Sequence, residues 1–176
     1  MTRNRLIRAL AVVTAIVRKI VKFAIFAVVF LFLAFCSLYI IFPVWNEAHM
    51  YTFGQQLRKA PLPEDTVFVE MQSAVGKLNG NGNGIDFFAG MLVRSDLSLS
   101  ELIDYYDSVS FAGAKDDEHT AEIQVIKANS DELHSKYLER RDLKFRKLRS
   151  TEDFSGYYFV NLYDGGYEAV FDLRGN

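Results

Sequence analysis

The spacing of hydrophobic positions shifts along this chain, and each shift predicts a different element. From Phe23 to Phe42, twenty consecutive residues carry no charge. At about 1.5 Å per helical residue, that run spans the roughly 30 Å apolar core of a bilayer. Ahead of it, Leu6, Leu10, Val13, Val17, Ile20 and Val21 share one arc of a helical wheel, and Arg8, Arg18, Lys19 and Lys22 another. Two placements suit this pattern. One is a basic amphipathic helix lying on a membrane surface; the other is an extension of the span with snorkelling basic side chains. After Pro43 the spacing is only partly helical through Ala60, and Pro61 and Pro63 interrupt it.

From Asp65 the period changes to two. Thr66-Val67-Phe68-Val69-Glu70-Met71, leading on to Leu78, predicts a first strand, because β-branched and aromatic residues dominate it. The repeat Asn79-Gly80-Asn81-Gly82-Asn83-Gly84 predicts a hairpin connection into a second strand, Ile85–Arg94. Ser98-Leu99-Ser100-Glu101 is a capping box, with Leu97 and Leu102 at the two positions of a hydrophobic staple. It predicts a helix from Leu99 to about Val109 that buries Leu102, Ile103 and Tyr106. Alternation in Ala121–Lys127 predicts a strand with Ile123 and Val125 on one face. Ser130 predicts a helix over Asp131–Arg140, and Leu143–Arg146 fits either a strand or a prolongation of that helix. Tyr157–Tyr163, a turn at Asp164-Gly165-Gly166 and Tyr167–Leu173 predict a closing hairpin.

The expected fold class is therefore α+β: a single N-terminal transmembrane helix, then a small extracytoplasmic domain with an antiparallel sheet and one or two helices on one face. The expected divisions are a basic cytoplasmic segment 1–22, a signal-anchor helix 23–44, a juxtamembrane stalk 45–64 and the domain 65–176. From Pro61 onward 116 residues remain, enough for one hydrophobic core.

Charge fixes the orientation of this scheme. The first 22 residues hold six basic side chains and no acid; the rest hold 14 basic side chains against all 22 acids, a net of −8. Basic flanks stay in the cytoplasm, so residues after Pro43 are expected outside. An acidic outer part argues against nucleic acid as a partner. A cleaved signal peptide has a shorter apolar region ending in small residues, whereas this run ends in the bulky Tyr39–Trp45. Phe35 rather than a small residue precedes Cys36, which argues against a lipoprotein. Cys36 is the sole cysteine, so no intramolecular disulfide forms.

Candidate chemistry is sparse. The loop Gly80, Asn81, Gly82, Asn83, Gly84 is the first candidate ligand site, because backbone amides in glycine-rich loops cradle anions. It lacks the Lys-Ser/Thr ending of a phosphate loop, and strand-like runs flank it, so a plain hairpin connection is the simpler reading. Arg140, Arg141, Lys144 and Lys147 are candidates for contact with an anionic polymer; a solvated edge whose charges block strand pairing is the simpler alternative. Asp116-Asp117-Glu118-His119 lacks a second group of ligands at metal-site spacing, and His49 and His134 stand apart. No nucleophile motif and no cofactor motif is present.

Ser73-Ala74-Val75-Gly76-Lys77-Leu78, the NGNGNG repeat, Ser95-Asp96-Leu97-Ser98-Leu99-Ser100-Glu101-Leu102 and the closing Phe171-Asp172-Leu173-Arg174-Gly175-Asn176 resemble small single-pass membrane proteins of Gram-positive bacteria. The resemblance covers roughly Pro61 to Asn176. It implies a bacterial surface protein with an extracytoplasmic α+β domain, and it supplies no catalytic or binding residue. The functional expectation is a non-enzymatic, membrane-anchored module whose partners are the lipid bilayer and a protein or envelope polymer. A small cell-envelope hydrolase or transferase, or an accessory subunit of a membrane complex, are the alternatives.

Overall fold

The computed structural model describes residues 2–80, 82–115 and 119–176, and side chains from Leu10 onward except those of residues 11 and 12. Asn81 and the acidic stretch 116–118 of the predicted loop lie outside the described residues. The chain forms two compact units, Met1–Ile41 and Phe42–Asn176. One helix, α1 (Thr2–Lys59), supplies all the described residues of the first unit and continues into the second. Within the first unit the apolar side chains from Val13 to Ile41 are largely exposed. Among the described residues, α1 is the one helix long and apolar enough to cross a membrane. No break divides residues 6–22 from the apolar run.

The second unit is an α+β fold. Its strands are β1 (Thr66–Gly76), β2 (Ile85–Ser95), β3 (Glu122–Lys127), β4 (Glu132–Leu133), β5 (Leu143–Lys144) and β6 (Tyr157–Tyr167), and its own helix is α2 (Leu99–Asp107). A four-stranded sheet runs in the order β1-β2-β6-β3, antiparallel throughout; β4 and β5 make a separate two-stranded ladder. β2 is central and buries every residue except Arg94. That explains its nearly continuous apolar sequence where alternation would suit a strand with one wet face.

Each face of the sheet has its own core. Phe87, Met91, Val93, Val160 and Leu162 pack against Leu102 and Tyr106 of α2 and against Phe53 and Leu57 of α1. Phe53 and Leu57 lie within the stretch expected as a stalk, yet they are 1% and 0% exposed. Full burial of such side chains contributes about 1.5–3 kcal/mol each, so the last turns of α1 belong to the domain. On the other face Phe88, Leu92 and Phe159 meet Leu133, Tyr137 and Phe145. α2 begins at the predicted cap: Ser98 Oγ accepts from the Glu101 N–H, and the Glu101 carboxylate accepts from the Ser98 N–H at 2.8 Å. Leu102 and Tyr106 are buried as expected, and Ile103 packs at the margin of the core.

Two sequence expectations fail. Residues 131–140 are not a helix: Ser130 closes a local turn by accepting from the Glu132 N–H at 3.2 Å, and Glu132–Leu133 joins the short ladder with β5. An isolated ten-residue helix is marginal, and here side-chain docking onto the sheet prevails. Leu133 enters the core, and the Tyr137 ring stacks on Tyr163 with centroids 4.4 Å apart. Leu143–Arg146, for which strand and helix were both open, divides into β5 and a 3₁₀ turn over Arg146–Leu148.

The closing hairpin is also absent. β6 continues without reversal through Asp164-Gly165-Gly166 to Tyr167. Opposite it, Ile85 pairs with Tyr167 and Phe87 with Asp164, so β6 carries one extra residue there. Gly166, with φ +87°, supplies the left-handed backbone of that bulge. Beyond Tyr167 the chain forms no further strand; an irregular tail ends in a 3₁₀ turn over Leu173–Gly175.

Candidate functional site at the glycine-rich loop and the chain end

The β1–β2 connection, the β6 bulge, the tail and the start of the second unit's helix meet at one end of the domain. Asp86 organises the first two. It is 6% exposed. Its Oδ2 accepts from the Leu78 and Asn79 N–H groups at 2.9 and 3.1 Å, and its Oδ1 from the Gly166 N–H at 3.1 Å and the Tyr163 hydroxyl at 3.2 Å. The amides that hold this carboxylate belong to Leu78, Asn79 and Gly166, outside the predicted ligand loop 80–84. Gly165 is forced here, since a Cβ would overlap the Asp86 carboxylate and the Tyr163 hydroxyl. Burial first, and then the Asp86 charge, push the Tyr163 phenol above the ordinary tyrosine range.

A shallow depression of about 250 Å³ opens beside this carboxylate, lined by Lys77, Asn79, Gly82, Asn83, Gly84 and Tyr163 among others. Of the three loop glycines, only Gly80 has a positive φ, +67°. Gly82 faces open space, and Gly84 donates its N–H to Gly175 O at 2.8 Å. Arg140 reaches the same loop: its Nε donates to Gly80 O at 2.9 Å and its backbone N–H to Leu78 O at 3.2 Å. The other candidate basic residues are elsewhere. Lys144 pairs with Glu132. The Lys147 N–H donates to the Glu70 carboxylate on β1, and Arg141 is exposed. The backbones of Lys144 and Lys147 lie along edge strand β1, at Gln72 and Glu70.

The tail clasps the helix. Asn46, 3% exposed, donates from Nδ2 to Asp172 Oδ2 at 2.7 Å. Arg174 grips the same carboxylate twice, from Nε to Oδ1 at 3.0 Å and from Nη2 to Oδ2 at 2.8 Å. It also pairs with Glu47 and donates from Nη2 to the Pro43 carbonyl at 3.1 Å. Phe171 adopts φ +54°, uncommon for an aromatic residue, with its ring 5.5 Å from that of Phe42. Burial pushes the Asp172 carboxyl up, but the Arg174 guanidinium, the Asn46 amide and the Arg174 N–H outweigh it and hold the pKa at about 2. The tail also meets the loop strands, where the Lys77 N–H donates to Arg174 O at 2.7 Å.

Lys115 completes this end. Its ammonium lies 5.6 Å from the centre of the Phe87 ring and 5.0 Å from that of Tyr167. Burial pulls its pKa below the ordinary lysine range, while the Asp172 charge opposes that shift. His49 shares a hydrogen bond of 3.1 Å with Ala114 O, and His134 lies 3.8 Å from the Glu132 carboxylate. Among the described residues no three His, Cys, Asp or Glu side chains converge on a point that would hold a metal. Sequence reasoning singled out the loop as a ligand site and Arg140 as a polymer contact, and it missed Asp86, Asp172 and Arg174, whose partners include groups far away along the chain. The one local signal was an acid near the start of β2, just ahead of its apolar stretch from Phe87 to Val93. The chain matches no protein-family model, no curated protein and no solved structure, so the resemblance to Gram-positive membrane proteins rests on the quoted motifs alone.

Proposed function

We propose that this protein is a membrane-anchored interaction module. In this reading residues 23–42 cross the membrane, the basic N-terminus stays in the cytoplasm, and the α+β unit presents its surface to a protein or polymer of the cell envelope. The exposed apolar side chains of α1 and the confinement of every acid to positions after the apolar run support the anchoring. The observation that carries binding over chemistry is how the polar groups at the loop end are engaged. Asp86 holds three backbone amides and a hydroxyl, Asp164 accepts from the Ala114 N–H at 2.6 Å, and Asp172 is saturated by Arg174 and Asn46. Carboxylates tied in this way are poor proton shuttles, while Lys77, Gly82 and Asn83 stay on the surface for contact.

Paired C-terminal fusions test the orientation. Alkaline phosphatase should be active at the C-terminus, and a fluorescent protein that matures only in the cytoplasm should stay dark; the opposite pair of results overturns it. A photo-crosslinking residue at Asn83, compared with one at Arg141, tests the surface in intact cells. Adducts confined to Asn83 assign the loop end as the binding face. Adducts confined to Arg141 move it off the loop, to the basic segment that follows Arg140.

A further inference from the structure

We propose that the tail segment 170–173 is a second membrane contact, inserting its apolar side chains into the outer headgroup layer beside the helix. This rests on the anchoring proposed above. Among the described residues of the second unit, seven large hydrophobic side chains are exposed, and four of them are Val44, Trp45, Val170 and Leu173. Leu173 is 70% exposed, although it stands between Asp172 and Arg174, which are held firmly. Those neighbours bond to Pro43, Asn46 and Glu47, and Phe171 lies against Phe42. The tail is thus fixed at the level of helix residues 42–47, a rise of about 8 Å. The uncharged stretch that begins at Phe23 ends at Asn46, with Glu47 the first charge after it, so that rise covers its outer end, at the headgroup layer.

The charges at this level do not oppose lipid. Asp172, Arg174 and Glu47 pair with one another, which lowers the cost of bringing them near apolar chains. The left-handed backbone at Phe171 turns the tail; strained conformations of this kind persist where surrounding contacts fix them. Leu173 and Val170 add an apolar surface to the helix, and Trp45 adds a ring of the type that settles at the interface. The occupant that matches is lipid, because the tail is held at helix residues 42–47, where the uncharged stretch gives way to the first charge.

The test uses the full chain carrying Cys36→Ser and one new cysteine, labelled with an environment-sensitive fluorophore and reconstituted in phosphatidylcholine and phosphatidylglycerol vesicles. Labels go on Leu173→Cys, Phe30→Cys and Val67→Cys. Val67 is exposed and lies about 30 Å along β1 from Gly76, which abuts the tail. Quenching by lipids brominated near the top of the acyl chain should be strong at 173 and absent at 67. Lipids brominated deep in the chain should quench the label at 30. If 30 is quenched and 173 behaves like 67, the tail contact is wrong while the anchor stands; a protein or a second copy covering the patch gives this same result. If 30 is not quenched, the anchor fails and the tail contact with it. Leu173 is exposed, so a denaturant melt unchanged by Leu173→Cys establishes that the labelled chain is folded.

Discussion

The Asn46 amide and the Asp172 carboxylate, 126 positions apart in sequence, meet at 2.7 Å in a buried hydrogen bond. That contact fastens the end of the chain to the helix on which the domain begins. Asp172→Ala should lower stability by about 2 kcal/mol, because it leaves the Asn46 amide and the Arg174 guanidinium without the buried acceptor they share. Because the folded pKa is depressed, this stability is fully present above about pH 4. It is lost as pH falls through about 2. Melts of the full chain in detergent across that range check the sign. An acid limb with the same slope in Asp172→Ala and the parent would assign the effect to another group.

Glycine substitutions in the loop region should separate by backbone geometry. Gly165→Ala should be severe, since its Cβ overlaps Asp86 and Tyr163. Gly80→Ala should cost about 1 kcal/mol because of its left-handed φ. Gly82→Ala meets open space at an unstrained backbone and should leave the melting midpoint in place. A uniform loss at Gly80 and Gly82 would contradict this assignment.

Tyr106 is fully buried, and its hydroxyl finds no hydrogen-bond partner among the described residues. Tyr106→Phe should therefore be neutral or stabilise by up to about 1 kcal/mol. A destabilised Tyr106→Phe protein in denaturant melts would mean that the hydroxyl has a partner.

Tyr163 and Tyr106 should resist ionisation. Burial raises both phenols, with the Asp86 charge adding to Tyr163 and the Tyr105 phenolate to Tyr106. A raised folded pKa means their contribution is complete below about pH 10 and disappears as pH rises beyond it. Ultraviolet absorbance should show these two tyrosines ionising only as the domain unfolds in alkali. Asp86→Asn should move the Tyr163 step to lower pH.

At the start of α2, Ser98→Ala should cost about 1 kcal/mol, the usual effect of losing an N-cap. Glu101→Ala should cost less, because its carboxylate is exposed and held by Ser98 alone. A midpoint shift larger for Glu101→Ala than for Ser98→Ala would reverse their roles.

Features that local physics controls were legible in the residues themselves. Twenty uncharged residues specify an apolar helix, Ser98 and Glu101 start α2, and two β-rich runs joined by Asn-Gly repeats pair as β1 and β2. In each case the residues that set the outcome are close together in the chain. Contacts between distant segments set the rest. Asp164-Gly165-Gly166 reads locally as a turn, but its φ +87° glycine serves a bulge once β6 is held between β2 and β3. Residues 131–140 read as a helix, but Leu133 and Tyr137 gain more from packing on the sheet. Asp86 and Asp172 acquire their roles from amides and a guanidinium delivered by other segments. A buried carboxylate needs several donors at once, and the fold rather than the local sequence brings them together.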